Sequence, residues 1–232
     1  MPDHVLVIGG SGGIGSGIVE VLENNGYDVV STYYNNRNHH SRNYKKLDLL
    51  NLKDIDSFDF SIYRAIIFSA GQEALSTLSA INKDEFDNQI SAQLYAPLMI
   101  VKRVLSGENK LKHIIFISSK AGLRLYESSG LYALIKASVL SLTRLLANEL
   151  KKKYISVNAI APNWCETLMA DRVIDKKGLI KKEIMENMID NEFIQPKEIG
   201  LLCYKLLDTS INITGQVIEV DSSCKKQEVK NV

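Results

Sequence analysis

The segment HVLVI at residues 4–8 runs straight into GGSGGIG at residues 9–15 and then into the amphipathic stretch IVEVLENNG. A short β-branched run, a glycine turn and a helical pattern in that order restrict the fold more than any other feature of the chain. Glycines permit positive φ and close backbone approach, and the first N–H groups of the new helix, with its positive dipole end, face an anion such as a pyrophosphate. The spacing Gly9-x-x-x-Gly13-x-Gly15 differs from G-x-G-x-x-G. It also differs from a phosphate-binding loop of the Lys-Ser/Thr type, because Ser16-Gly17 follows the last motif glycine. A purely structural turn is the competing reading; its place directly after the first strand favours phosphate binding.

Further apolar, β-rich runs recur at residues 28–34, 65–70, 113–118, 155–160 and 216–220, with helical patterns between them at 86–105, 131–150 and, after Pro196, 197–207. Continuous apolar strands alternating with amphipathic helices predict an α/β fold, a doubly wound Rossmann arrangement with a parallel sheet of about seven strands and helices on both faces. Ligands of such a sheet bind beyond the carboxyl ends of the strands, where Gly9, Gly71, Ser119 and Pro162 fall. Between Asp48 and Phe68 there is room only for a short helix or a turn.

With 232 residues, the chain suits one domain, expected over residues 1–224, with a charged tail at 225–232 that lacks apolar anchors and is expected to be disordered. The net charge of +1 gives no electrostatic case for nucleic acid or a membrane surface. Cys165, Cys203 and Cys224 are odd in number and widely spaced, as suits reduced thiols and no metal site. His39 and His40 are read as surface residues. No secretion signal and no apolar stretch of spanning length is expected, so the reading is a cytoplasmic protein.

Tyr132 and Lys136 stand four residues apart in GLYALIKASVLSLTRLLANEL, and Ser119 precedes the tyrosine by thirteen residues at the end of HIIFISS. On a helix that pair shares one face, displaced by about 6 Å along the axis. A nearby ammonium should lower the phenol below its usual value of about 10 and make it a proton donor and acceptor nearer neutrality. Ser119 can then hold a substrate oxygen. Alone, a Y-x-x-x-K pair is commonplace on solvated helix faces; behind the glycine turn it carries weight.

In this order and separation the two motifs resemble the short-chain dehydrogenase/reductase family over nearly the whole chain. The segments that carry the likeness are IGGSGGIG, FSAG ending at Gly71, Ser119 with Tyr132 and Lys136, APNWCET at 161–167 and ITGQVIEVD at 213–221. The resemblance implies an NAD(P)-dependent enzyme that transfers hydride, with Ser119, Tyr132 and Lys136 catalytic and Gln93 where the family has an assisting asparagine. It implies cofactor contacts from Gly9, Ser11, Gly12, Gly13, Ile14 and Gly15; from Tyr34, Asn35 and Arg37; from Asp48 and Leu49; and from Ser69, Ala70 and Gly71. Tyr132 and Lys136 contribute again, followed by Pro162, Asn163, Trp164 and Thr167.

Departures from the pattern are Ile8 for the motif threonine, Phe68-Ser69 for paired asparagines, Gln93 for asparagine, and Asn163 for a glycine, where asparagine tolerates a left-handed backbone. The second strand ends in Tyr33 and Tyr34 followed by Asn35, Asn36 and Arg37, with no carboxylate to meet a ribose hydroxyl. This favours NADP(H) over NAD(H), although Arg37 can equally be a solvated loop charge.

The implied substrate is a carbonyl compound, a ketone, oxoacyl thioester or keto-sugar, reduced to an alcohol. A flap at about 165–195 mixes Leu168, Met169, Ile180, Ile184, Met185 and Met188 with Lys176, Lys177, Lys181 and Lys182, which could steer an acidic carrier or could be a solvated face. Two other readings stay open: a dinucleotide-binding sensor or interaction protein that has lost the chemistry, and, ranked last, a sugar epimerase or dehydratase. The family's habit of pairing subunits through the helix of Tyr132 and the long helix before it implies a homodimer or homotetramer. Ala137, Val139, Leu142 and Leu146 are candidates for that interface or for packing on the sheet.

Overall fold

A computed structural model of the chain describes residues 3–35, 41, 43–73, 78–124, 130–188, 191–208, 210 and 212–221. Arg37, His39, His40, Cys224 and the 225–232 tail lie outside the described residues. Seven parallel strands form one sheet in the order β3-β2-β1-β4-β5-β6-β7. They are β1 (His4–Ile8), β2 (Asp28–Tyr33), β3 (Tyr44–Lys46), β4 (Ala65–Phe68), β5 (His113–Ile117), β6 (Ser156–Pro162) and β7 (Val217–Val220). The expected doubly wound sheet is therefore present, with its crossover between the β1-β2 and β1-β4 pairs.

Strand alternation explains why helices cover both faces. Leu6 and Ile8, Ile66 and Phe68, and Ile114 and Phe116 pack into one core with Ile100, Val139 and Leu146. Their neighbours Val5 and Val7, Ala65 and Ile67, and Ile115 and Ile117 pack into the other with Ile18, Leu22, Ile199 and Cys203. Successive side chains point to opposite faces, so a strand apolar at every position needs two covers. Each large side chain buried this way contributes about 1.5–3 kcal/mol.

The helices on the first face are α2 (Leu52–Ser57), α4 (Ala96–Leu105) and α5 (Gly130–Leu150), with α3 (Lys83–Ile90) packed against α5 through Ile90. On the second are α1 (Gly13–Asn24), α6 (Leu168–Lys177), α7 (Lys181–Glu186) and α8 (Pro196–Leu206). The compressed crossover after Asp48 holds the short α2, six residues long. Asp48 itself lies beyond the end of β3, which stops at Lys46.

The helix expected at 86–105 begins earlier, where Asn82 caps α3 by accepting from the Glu85 N–H at 2.8 Å. It is interrupted by a π-helical turn at Ser91–Tyr95, in which the Ala96 N–H bonds back to the Ser91 carbonyl. Pro97 has no N–H to give to the carbonyl of Gln93 four residues earlier, which favours the wider turn there.

Helix α5 carries the residues weighed as a subunit interface. Val139, Leu142 and Leu146 are buried against the sheet, while Leu134 and Leu145 are exposed. Contrary to expectation, the segment Gly130–Lys153 is by length and composition apolar enough to cross a bilayer; more than half of its most apolar window is buried inside the protein, the setting of a core helix. Cys165 and Cys203 are free, buried thiols.

Candidate active site

The glycine turn is built by close approach. Gly9 has φ of +80°, and a β-carbon there would stand 2.6 Å from the backbone of Ala70, so only glycine lets the ends of β1 and β4 come this close. At Gly13 a β-carbon would stand 2.6 Å from Cγ2 of Thr167, which seats the start of α6 directly over the turn. Gly12 caps α1 without any side-chain hydrogen bond, which leaves the first N–H groups of that helix available to an anion. This cradle fits the pyrophosphate of a dinucleotide.

The threonine missing from the turn is replaced from the neighbouring strand. The Gly9 N–H donates to Thr32 Oγ1 at 3.0 Å, and the Ser11 N–H donates to the Thr32 carbonyl at 3.3 Å. Thr32 is buried. Its signal in the sequence was a polar residue, beside Ser31, near the carboxyl end of the second strand.

Other residues named for the nucleotide surround the same edge of the sheet. Tyr34 and Asn35 come directly after β2 and are exposed. Asp48 accepts from the Leu50 N–H at 2.9 Å, and Leu49 packs on the core beside Ala70. Ser69 comes directly after β4, with its N–H on the Ile8 carbonyl at 2.9 Å and its hydroxyl buried without a partner. Ile14 and Trp164 pack into the second core, Trp164 stacked on Phe193 at 5.9 Å.

Pro162 ends β6 in register with Val220. Asn163 does not use a left-handed backbone, since among the described residues only Tyr154 and Asn191 do so without being glycine. Its amide instead donates to Asp221 at 2.8 Å, and Asp221 also binds the nearly buried Lys120. That pairing holds the Asp221 carboxyl below its ordinary range. Thr167 caps α6, accepting from the Ala170 N–H at 3.2 Å.

Ser119, Tyr132 and Lys136 converge beyond the end of β5. Ser119 extends from the strand into a tight turn, accepting from the Ala121 N–H at 3.2 Å, and its hydroxyl also hydrogen-bonds the Tyr132 phenol. Lys136 is buried, donates to the Ile117 carbonyl at 3.2 Å and stands 5.6 Å from the centre of the Tyr132 ring.

The charge states differ from the expectation. Burial raises the Tyr132 phenol above its usual 10.0, with the Ser119 hydrogen bond acting the other way and Cys165 and Glu73 adding small upward pushes. Burial pushes Lys136 down to about 8. The ammonium lies by the ring and the strand carbonyl, and the loss of water at both groups outweighs the mutual attraction that helical spacing alone implied.

Gln93 sits in the π turn, buried, with its carbonyl oxygen unpartnered and its Nε2 donating to Gln89. A β-carbon on Gly71 would lie 3.2 Å from Gln93 Oε1 and 3.3 Å from Lys136 Nζ, so both groups border the space above Gly71. Two residues that sequence reasoning missed act nearby. Gln89 was signalled only by standing one helical turn before Gln93. Glu73, just after Gly71, accepts from Arg172 at 3.1 Å and pairs with Lys176 at 3.6 Å, tying the loop after β4 to α6.

Of the residues expected to form a flap, Met188 is buried and Ile184 and Met185 pack on the second core, while Leu168 and Ile180 are exposed. Lys176 pairs with Glu73, Lys181 with Glu166 and Asp171, and Lys182 with Glu186. Among the described residues, no group of three or more His, Cys, Asp or Glu could hold a metal.

A seven-stranded parallel sheet with a glycine cradle at its carboxyl edge defines a doubly wound, dinucleotide-binding type of fold. The chain belongs to the short-chain dehydrogenase/reductase family and is an NAD(P)-dependent oxidoreductase. A family profile described as enoyl-(acyl carrier protein) reductase matches residues 52–222. An uncharacterized oxidoreductase of Bacillus subtilis, YmfI, is 27% identical over 240 residues, covering 95% of this chain and 98% of its own. The 3-oxoacyl-[acyl-carrier-protein] reductase MabA of Mycobacterium tuberculosis is 26% identical over 226 residues, covering 94% and 90%. In fold, the chain is similar to a short chain dehydrogenase family protein from Francisella tularensis, with a TM-score of 0.83 at 24% identity over 95% of this chain and 98% of the other. It is also similar to actinorhodin polyketide ketoreductase with NADPH, with a TM-score of 0.84 at 20% identity over 94% and 95%.

Proposed function

We propose that the protein reduces a carbonyl compound, a ketone, 3-oxoacyl thioester or keto-sugar, to an alcohol using NADP(H), with residues 1–224 acting as one domain under a flap at about 165–195. The reading rests on one observation above all. The Tyr132 phenol hydrogen-bonds Ser119 and has the buried Lys136 ammonium over its ring, at the sheet edge that also carries the glycine cradle. A bound nicotinamide supplies the hydride. The chain's own residues manage the oxygen and the proton. Ser119 donates to the carbonyl oxygen and orients it; Tyr132 donates the phenolic proton to that oxygen as charge develops; Lys136 stabilises the phenolate left behind and holds the ribose. Gln93 closes the site behind Lys136.

The residues at the end of β2 favour NADP(H). Tyr34 and Asn35 offer no carboxylate to repel a 2′-phosphate, and Lys46 pairs in register with Tyr33 beside them. The similar ElxO structure, at 23% identity, has NADP bound. A 3-oxoacyl thioester is supported by the MabA likeness. The internal pairing of Lys176, Lys181 and Lys182 weakens the case for an acidic carrier docking on those residues. Measuring NADPH and NADH oxidation across ketones, oxoacyl thioesters and keto-sugars tests the reading: turnover with NADPH supports it. Tight NADPH binding with no turnover on any member of the panel transfers support to a dinucleotide sensor.

A further inference from the structure

We propose that Gln89 is a positioning residue that fixes the carboxamide of Gln93 with its carbonyl oxygen toward Lys136, so that the lysine has a protein acceptor behind it in place of bulk water. This deepens the reductase reading and rests on it for the role of Lys136. Three observations support it. Gln93 Nε2 donates to Gln89 within the buried face of the π turn. With Gln89 Oε1 as the acceptor, that bond commits the nitrogen end of the Gln93 amide and leaves its oxygen end free. The free end, Oε1, is buried and without a partner, and it borders the same space above Gly71 as Lys136 Nζ.

The geometry depends on the π turn. Gln89 is the last but one residue of α3, and Gln93 is the middle residue of the wider turn before Pro97. Four residues of separation bring the two side chains together on one helix face. A buried carbonyl left without a donor is destabilising. A cation that already spends one of its three donors on the Ile117 carbonyl is a suitable partner for it, directly or through a single water. Without Gln89 the Gln93 amide can turn over and present its N–H₂ to the ammonium, which disfavours the charged lysine.

Among the described residues, the titratable groups facing this cluster come from three elements. Tyr132 comes from the lysine's own helix, Cys165 from the loop after β6 and Glu73 from the loop after β4, the last two acting on Tyr132. Gln89 and Gln93 carry no charge themselves, so their effect on Lys136 is that of a dipole.

The test is the titration of Lys136 followed by NMR of side-chain-labelled lysine in the full chain, with Lys136→Arg used to assign the signal. Gln89→Met keeps the length and removes the acceptor; the Lys136 midpoint is expected to move to lower pH by roughly one unit, as for a lost hydrogen bond to the charged form. Gln89→Glu keeps an acceptor there and is expected to hold the midpoint at or above that of the unmodified protein. A Gln89→Met midpoint equal to the unmodified one overturns the proposal. Should that variant fail to fold, the unmodified chain decides. Overhauser contacts from the Gln93 amide protons to Gln89 support the assignment, and contacts to the Lys136 ε-methylene mean a turned amide and overturn it. These readouts need no turnover, so a chain that titrates as expected yet reduces nothing refutes the reductase reading alone.

Discussion

The Lys136 ammonium donates to the Ile117 carbonyl at 3.2 Å while standing 5.6 Å from the centre of the Tyr132 ring. One cation is thereby pinned between the end of β5 and an aromatic ring on its own helix, away from water. The arrangement makes the lysine, more than the tyrosine, the group whose charge the fold sets near neutral pH.

Tyr132→Phe removes only the phenolic oxygen. Carbonyl reduction is expected to fall by at least ~100-fold, the usual size of general acid catalysis, with nucleotide affinity changing far less. Steady-state kinetics and a fluorescence titration measure the two, and a variant retaining full rate rules out the assigned proton donor.

Lys136→Met is expected to raise stability in the absence of nucleotide while abolishing turnover. Burial lowers the lysine from 10.5 to about 8, a cost on the order of 3 kcal/mol. Between those two values the unfolded chain binds more protons than the folded one, so the unmodified protein gains stability as pH rises through that window; below pH 8 the full cost is present. Urea unfolding at pH 7 should therefore favour the variant by about 1–3 kcal/mol, and the advantage should vanish above pH 10.5. An equal gap at both ends would show that the lysine is not desolvated.

Thr32→Val preserves the shape of β2 and orphans the Gly9 N–H. Stability is expected to drop by about 1–3 kcal/mol, and nucleotide affinity should weaken because the turn loses its brace. Thermal unfolding with and without NADPH separates the two effects. Unchanged affinity would mean that the cradle holds its shape without this bond.

Glu73→Gln removes the tie between the β4 loop and α6, and the KM for substrate is expected to rise with less change in kcat. Burial pulls the Glu73 carboxyl upward, but hydrogen bonds from its own backbone and Arg172, with the charges of Arg172 and Lys176, outweigh it and leave the group below 4.5. The tie thus contributes fully above pH 4.5 and is lost as pH falls through the lowered value. Kinetics at rising salt should move the unmodified enzyme toward the variant. A KM insensitive to both changes would detach the flap from this ion pair.

The sheet and the glycine cradle were readable from the chain alone, for reasons that are local. Unbroken apolar runs through β4 and, after their first histidines, through β1 and β5 imply a sheet covered twice, and a glycine cluster between strand and helix implies a cradle, because both depend only on neighbours in sequence. The ends of elements were less legible. The π turn at 91–95 depends on Pro97 withdrawing one donor from a helix whose periodicity otherwise continues.

Polar groups whose partners are distant in sequence were settled by three-dimensional packing. Thr32 braces Gly9 across 23 positions, and Asn163 meets Asp221 across 58, so the departures at Ile8 and Asn163 are compensated by residues that no local pattern connects. The spacing of Tyr132 and Lys136 established that the two share a helix face. Their protonation depended on how much water the surrounding strands exclude, because desolvation is a property of the whole packed environment and is not carried by either residue's place in the chain.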